Sequence, residues 1–338
     1  MRRMAMAPLA AGSQTNFSAD CKSAEAGLQT PLKTVPALLS GGESMFPKLI
    51  KALAGLFLIF FIVYGIFYAL ARTLPDHPYF KPDRFLVIAH RGGRSLGPEN
   101  TIFTFRRAVE LGTDVLEMDL QATSDGALVI IHDREVDRTT NGKGAVDSFS
   151  LSEIKNLDAG FHWSPANSSD FPLRNKGVAI PTLTEVFEAF PGTRMNLEIK
   201  SSQVNTIQDL CRTIRENGMS QKVLVACFDA GKLGEFRSVC PEVATSAGAS
   251  EAGIFYWLQW AQMESAYSPN SQALQIPEAY GEYRIATQGF VEAAHARNMR
   301  IHVWTVNDSE AMQRLVDLNV DGIMTDYPQR LLKIVKRK

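Results

Sequence analysis

Residues 85–111 read FLVIAHRGGRSLGPENTIFTFRRAVEL: an apolar run of strand length, a glycine-containing loop, and an amphipathic stretch over 101–111. That is a β-loop-α unit. Further strand candidates follow at 115–121 (VLEMDLQ), 195–200 (MNLEIK), 222–228, 243–248, 273–276, 300–306 and 321–326. With 85–90 they make eight. Segments of helical length, such as 183–190, 207–217 and 289–298, lie between most of them. Strands that alternate with helices require parallel pairing and right-handed crossovers, and eight such units close into a TIM barrel.

One run breaks the alternation. LVIIHD at 128–133 follows strand 2 across only 122–126, too short for a crossover helix, and Ser124-Asp125-Gly126 is a turn signal. The stretch 115–132 therefore reads as a hairpin whose second arm carries His132 back toward Glu117 and Asp119. The region 134–180, with TTNGKG and SPANSSD in it, is then an excursion over the barrel mouth.

Ahead of the barrel, 52–71 contains no charged residue. At ~1.5 Å per residue it is long enough to cross a ~30 Å hydrocarbon layer, so the spacing predicts one transmembrane helix. Lys48 and Lys51 precede the run and Arg72, Lys81 and Arg84 follow it, so the charge count does not decide orientation; the two lysines directly before the run resemble a signal anchor, which favours the N-terminus inside and the barrel on the non-cytoplasmic side. The Ala69-Leu70-Ala71 pattern resembles a cleavage site, but the apolar run is longer than a signal-peptide core and reads as retained. Residues 1–44 lack an apolar period and read as a disordered tail, with Met45 as the expected natural start. The expected organisation is thus a tail (1–44), an anchor (45–74), an extended proline-containing linker (75–84) and a barrel domain (85–338).

The 35 basic and 36 acidic side chains balance, and no basic stripe is visible to neutralise phosphates, so nucleic acid is excluded as a partner. Cys21, Cys211, Cys227 and Cys240 show no CxxC spacing, which excludes a zinc site and a disulfide framework. They read as small buried apolar residues, with a single Cys211–Cys240 or Cys227–Cys240 pair left open.

Polar residues collect at the C-terminal ends of the strands, where this fold places its active site: His90, Asp119, Lys200, Asn307 and Asp326. Glu117 and Asp119, two apart on one strand, point the same way, and two carboxylates on one face repel unless a cation binds them. In NLEIK, Leu197 and Ile199 alternate with Glu198 and Lys200, which puts Glu198 on a polar face as well. Three carboxylates without cysteine or convergent histidines describe a hard oxygen site for Mg²⁺ or Ca²⁺. His90 and His132 each end an apolar strand beside these acids and form a candidate acid–base couple. His77, His162, His295 and His302 suit that task less.

The ordered set IAHRGG, GPENT, LEMD, VIIHD, LEIK, VWTVN and GIMTD, spread from Phe85 to Leu332, resembles the glycerophosphodiester phosphodiesterase family. The resemblance implies a TIM barrel with a divalent ion on Glu117, Asp119 and Glu198, and acid–base catalysis by His90 and His132. It also implies phosphate contacts from Arg91 and Lys200, an active-site role for Glu99 and Asn100, and a wall from Trp304. The implied reaction is hydrolysis of glycerophosphodiesters to glycerol-3-phosphate and an alcohol. Two alternatives remain: a lysophospholipase D acting on membrane lysolipids, and a catalytically inactive tethered binding module. The first needs apolar residues at the barrel mouth, for which 255–257 (FYW) and Trp260 are candidates. Intact His90 and His132 weigh against the second.

Overall fold

The eight barrel strands are β1 (Leu86–Ala89), β2 (Val115–Ala122), β4 (Arg194–Ile199), β5 (Val223–Ala226), β6 (Ala244–Thr245), β7 (Ala273–Pro277), β10 (Arg300–Trp304) and β11 (Gly322–Thr325). The computed structural model describes residues 45–166, 168–201, 203 and 205–337, so the tail expected at 1–44 lies outside the described residues. The strands pair in parallel in the order β6-β5-β4-β2-β1-β11-β10-β7. A parallel bridge between Ser246 and Ala273 joins the two ends. Helices α2 (Ile102–Leu111), α4 (Leu183–Ala189), α5 (Thr206–Glu216), α6 (Ala230–Val239), α7 (Ala249–Trp260), α8 (Gln288–Ala296), α9 (Ser309–Asp317) and α10 (Pro328–Ile334) belong to this α/β barrel. Several begin where a short polar side chain caps the first turn: Thr101, Thr182, Asp229, Thr287 and Asp308 accept from backbone N–H groups.

The expected hairpin is present. β3 (Leu128–Ile130) pairs antiparallel with β2, Leu120 opposite Ile130 and Ala122 opposite Leu128. The excursion beyond it carries the short α3 (Leu151–Ile154) and a small core of its own, in which Val136, Val146, Ile154 and Ile180 pack against Val129 and Ile131. A further hairpin, β8 (Ala279–Tyr280) and β9 (Tyr283–Arg284), follows β7.

Period-2 alternation sorts the strand side chains. Met118, Leu197 and Ile199 face outward into the apolar layer beneath the helices, whereas Glu117, Asp119 and Glu198 form a compact acidic group. Near the N-terminal ends of the strands, Tyr79 and Phe80 pack with Leu224, Ala244 and Ala273. These two aromatics lie in the segment the sequence predicts as an extended linker. Pro78–Phe80 instead forms a 3-10 turn capped by His77, and burial of two large rings explains why it is held.

Cys211 and Cys240 form a disulfide, leaving Cys227 buried and free. Of the two pairings the sequence leaves open, Cys211–Cys240 is the one formed, and the reading of all three barrel cysteines as unpaired is corrected. Packing of α5 against α6 brings together two residues separated by 29 positions. The placement of 255–257 and Trp260 at the mouth is also corrected. Phe255 is buried, while Trp257 and Trp260 are exposed on the last turns of α7. A helix that follows a barrel strand starts at the mouth and runs back, so its final residues lie at the opposite end.

Phe57–Lys338 form one compact unit, and the start of α1 (Met45–Leu70) falls outside it. Among the described residues, Phe46–Leu70 is the one helical segment long and apolar enough to cross a membrane.

Candidate active site

β1 ends at Ala89, and His90–Gly92 continue as a 3-10 turn at the barrel rim. Arg91, Gly92 and Gly93 all adopt left-handed backbone, with φ of 51°, 86° and 85°. A Cβ on Gly92 would lie 2.7 Å from the Phe105 ring, so the glycine is required twice over, by conformation and by space. Arg91 is not a glycine, and its conformation is held by two bonds. Its N–H donates to Glu117 Oε2 at 2.7 Å, and its carbonyl accepts from the Asn100 N–H at 2.9 Å. Asn100, itself at φ 59°, donates from Nδ2 to Asp119 Oδ2 at 2.9 Å. Such strain in a non-glycine residue persists where surrounding contacts over-determine it.

Register sets the acidic group. Asp119 stands opposite Glu198 and Glu117 opposite Asn196, so the three acids converge across β2 and β4. One carboxylate oxygen from each of Glu117, Asp119 and Glu198 lies within 4.8 Å of the others. Glu117 is fully buried, and that burial, reinforced by the charges of Asp119 and Glu198, pushes its carboxyl well above the ordinary range. The Lys200 ammonium lies 2.7 Å from Glu198 Oε1 and 3.6 Å from Asp119 Oδ1. All potential ligand atoms in this group are carboxylate oxygens, a donor set that suits a hard divalent cation.

Each histidine is tied to this group through the backbone. His90 adjoins Arg91, whose N–H binds Glu117, and His132 follows Ile131, whose N–H donates to the Asp119 carbonyl at 2.9 Å. Each also has a carboxylate on Nδ1: Asp326 Oδ1 at 2.7 Å from His90, and Asp133 Oδ1 at 2.6 Å from His132. Burial favours the protonated form of Asp326, but the bonds from His90 and Asn307 outweigh it and hold the carboxyl below its ordinary range. Asp133 is lowered in the same way, chiefly by Arg138 and then His132 against burial. An ionised carboxylate facing Nδ1 fixes the proton there and leaves Nε2 as the available nitrogen in both rings.

Glu99 joins three guanidinium groups. It accepts from Arg91 Nη1 at 2.9 Å and from Arg138 Nη2 at 2.6 Å, and pairs with Arg94 Nε at 2.9 Å. Burial alone would raise its carboxyl, but the hydrogen bond from Arg138 and the charges of the three arginines bring it down to about 2. Arg138 also donates to Asp133 at 2.5 Å, so Glu99, Arg138, Asp133 and His132 form one chain of bonds. Arg91 Nε is buried 3.4 Å from Asp119 Oδ2, an ion pair without hydrogen-bond geometry. Trp304, at the end of β10, packs edge-on against Phe228 with ring centroids 5.8 Å apart, and Lys200 Nζ lies 5.8 Å from the same Phe228 ring.

A model of the glycerophosphoryl diester phosphodiesterase family matches residues 90–330, a span that contains both histidines and the acidic group. The chain belongs to that family. A glycerophosphodiester phosphodiesterase of Caldanaerobacter subterraneus is 38% identical over 258 residues, covering 75% of this chain and 98% of the relative. A human lysophospholipase D is 25% identical over 278 residues, covering 74% and 87%. Among solved structures, a phosphodiesterase of Oleispira antarctica in complex with sn-glycerol-3-phosphate superimposes with a TM-score of 0.63 at 24% identity, covering 77% of this chain and 100% of that one. At that identity the likeness concerns the fold. Glycerophosphoryl diester phosphodiesterases are phosphoric diester hydrolases, and the barrel is common to them.

In this family member the remaining histidines are occupied elsewhere. His77 bonds the Glu242 carbonyl, His295 bonds Asp321, and His162 packs on Phe161. His302 is fully buried within the sheet, and that burial brings it down to about 4, so it is neutral. Sequence reasoning placed Asn307 and Asp326 at the active-site end without giving them a role, and did not single out Asp133, Arg94 or Arg138. Asp326 and Asn307 carried a signal, their position at strand ends. Asp133 carried one through its adjacency to His132. Arg94 and Arg138 lie in loops with no periodicity to mark them.

Proposed function

We propose that this chain hydrolyses glycerophosphodiesters to glycerol-3-phosphate and an alcohol, with His90 and His132 as the acid–base pair. The reading is carried by one observation: two imidazoles, each with an aspartate on Nδ1, are anchored through adjacent backbone to the same acidic group. Family membership and the names of relatives support the substrate class. Glu117, Asp119 and Glu198 would hold a divalent cation, Mg²⁺ or Ca²⁺. When bound, the ion polarises a non-bridging phosphate oxygen and offsets developing charge.

The protein's own groups do the rest. The Arg91 guanidinium and the Lys200 ammonium, both at the acidic group, neutralise the other phosphate oxygens. Glu99 positions Arg91, and Asn100 positions Asp119. Trp304 forms part of the wall. One Nε2 accepts a proton from the attacking hydroxyl, which is the neighbouring glycerol hydroxyl or water. The other imidazole, protonated, gives its proton to the leaving alcohol oxygen, so one proton is taken and one delivered. Attack by the neighbouring hydroxyl gains from proximity. A cyclic phosphate then forms, which water opens with the histidines in exchanged roles.

We read the chain as an anchor at 45–74, a junction at 75–84 and a catalytic domain from 85; the apolar helix Met45–Leu70 and the family match over 90–330 support that reading. We place the catalytic domain on the non-cytoplasmic side. Lys48 and Lys51 precede the span, and the Cys211–Cys240 disulfide is of a kind that persists in oxidising compartments. Protection of the barrel from externally added protease in intact cells would contradict that side.

A substrate panel tests the activity. Full-length protein in detergent, with glycerophosphocholine, glycerophosphoethanolamine and a lysophosphatidylcholine, should release glycerol-3-phosphate from the first two. Product from the lysolipid alone would favour the lysophospholipase D reading, and absence of turnover on all three would favour the binding module.

A further inference from the structure

Trp257 and Trp260 are 63% and 70% exposed at the end of α7, their rings packed edge to face with centroids 6.0 Å apart, and Ile254 is exposed one turn earlier on the same helix. Such a pair of large exposed apolar side chains calls for a partner. The connection from α1 identifies one. α1 ends at Leu70, and only two residues later the Arg72 N–H donates to Ser268 Oγ at 3.1 Å. The Leu74 N–H donates to the Arg297 carbonyl at 3.4 Å, and Asn298 Nδ2 donates to the Leu74 carbonyl at 2.8 Å. Two extended residues reach only about 7 Å. Ser268 lies on the loop that leads from the last turn of α7 to the start of β7, at the N-terminal end of the barrel strands. The tryptophan pair and the fastening point of the span thus belong to one helix end and its adjoining loop.

We propose that Trp257 and Trp260 seat this end of the barrel in the interfacial layer of the bilayer that α1 crosses. The inference rests on the reading of α1 as a membrane span. Indole suits that layer because its ring is apolar and its N–H reaches headgroup oxygens. Arg72, exposed at the junction, adds a cation at headgroup depth. The mouth, at the other ends of the strands, then opens to water, and the substrates delivered to it are water-borne diesters rather than lipids in the plane of the bilayer.

The test uses full-length protein reconstituted in phosphatidylcholine vesicles, with and without bromine on the acyl chains near the headgroup. Two of the four tryptophans would lie at lipid, while Trp163 and Trp304 belong to the mouth. Bromolipid should quench the wild-type emission and leave that of W257S/W260S nearly unquenched, with hydrolysis of soluble glycerophosphocholine equal in both. Equal quenching of the two proteins overturns the proposal. So does equal quenching with altered sedimentation of the double variant, which would point to a second copy covering the face. An alkaline carbonate wash separates the two levels. Protein that washes off the vesicles refutes the span itself, whereas protein that stays but shows no tryptophan-dependent quenching refutes only the docking.

Discussion

His90 Nδ1 lies 2.7 Å from Asp326 Oδ1, joining residues 236 positions apart at the ends of two paired strands. Asp326 is in turn held by Asn307 Nδ2 at 2.9 Å, so the carboxylate is fixed from both sides. An imidazole oriented in this way presents a single free nitrogen, Nε2. Replacing Asp326 by Asn keeps the shape and removes the charge. Turnover should fall by ~10²–10⁴-fold, the range general acid–base catalysis supplies, with little change in KM. A steady-state comparison of D326N with wild type measures it, and a loss confined to KM would mean that Asp326 serves substrate binding.

His132→Ala should abolish turnover while leaving the fold intact. The ring is partly exposed, and Asp133 retains Arg138 as a partner once the imidazole is gone. Calorimetric titration with glycerol-3-phosphate should give near wild-type affinity, and the melting temperature should change little. Near-normal turnover in H132A would remove this residue from the mechanism.

Glu198→Gln removes one charge from the acidic trio and also releases Lys200, whose ammonium lies 2.7 Å from Glu198. Metal affinity should fall by at least ~10-fold, because a neutral amide is a much weaker partner for a hard cation. Isothermal titration with Mn²⁺ after chelation reads this directly. An unchanged titration would place the third ligand elsewhere.

Glu99 gives a pH dependence of known sign. Its folded-state value of about 2 lies below the ordinary 4.5, so the stabilisation is fully present above that ordinary value and is lost as pH falls toward 2. The difference sets a ceiling of roughly 3 kcal/mol. The expected effect is smaller, since Arg94 and Arg138 are more than 40% exposed and water screens them. In urea titrations E99Q should be less stable than wild type at pH 5 and above, and the gap should close between about pH 4.5 and pH 2. A gap that stays constant with pH would show that the ion pairs do not lower this carboxyl.

The sequence made local periodicity legible. Alternation in LEMD and LEIK was enough to face Glu117, Asp119 and Glu198 together, because a strand fixes side-chain direction within two residues. The turn at Ser124-Asp125-Gly126 likewise identified the return of His132. What stayed hidden depends on tertiary placement. Arg138 reaches Glu99 from a loop 39 residues away, and the Asp326 partnership crosses almost the whole domain. Tyr79 and Phe80 read as linker because three nearby prolines mask an apolar pair whose burial site is assembled from distant strands. The exposed tryptophans are candidates for the mouth in sequence and lie at the other end in the structure, because composition identifies a patch but not the direction in which its helix runs.

The central claim is that these acids and imidazoles surround one cation. Crystals of the full-length protein grown with Mn²⁺ and glycerol-3-phosphate test it most directly through anomalous scattering at the manganese edge. We predict one strong peak within coordination distance, ~2.0–2.6 Å, of a carboxylate oxygen from each of Glu117, Asp119 and Glu198, with the phosphate between it and the Nε2 atoms of His90 and His132. A peak remote from that trio, or a product bound away from both imidazoles, would contradict the account.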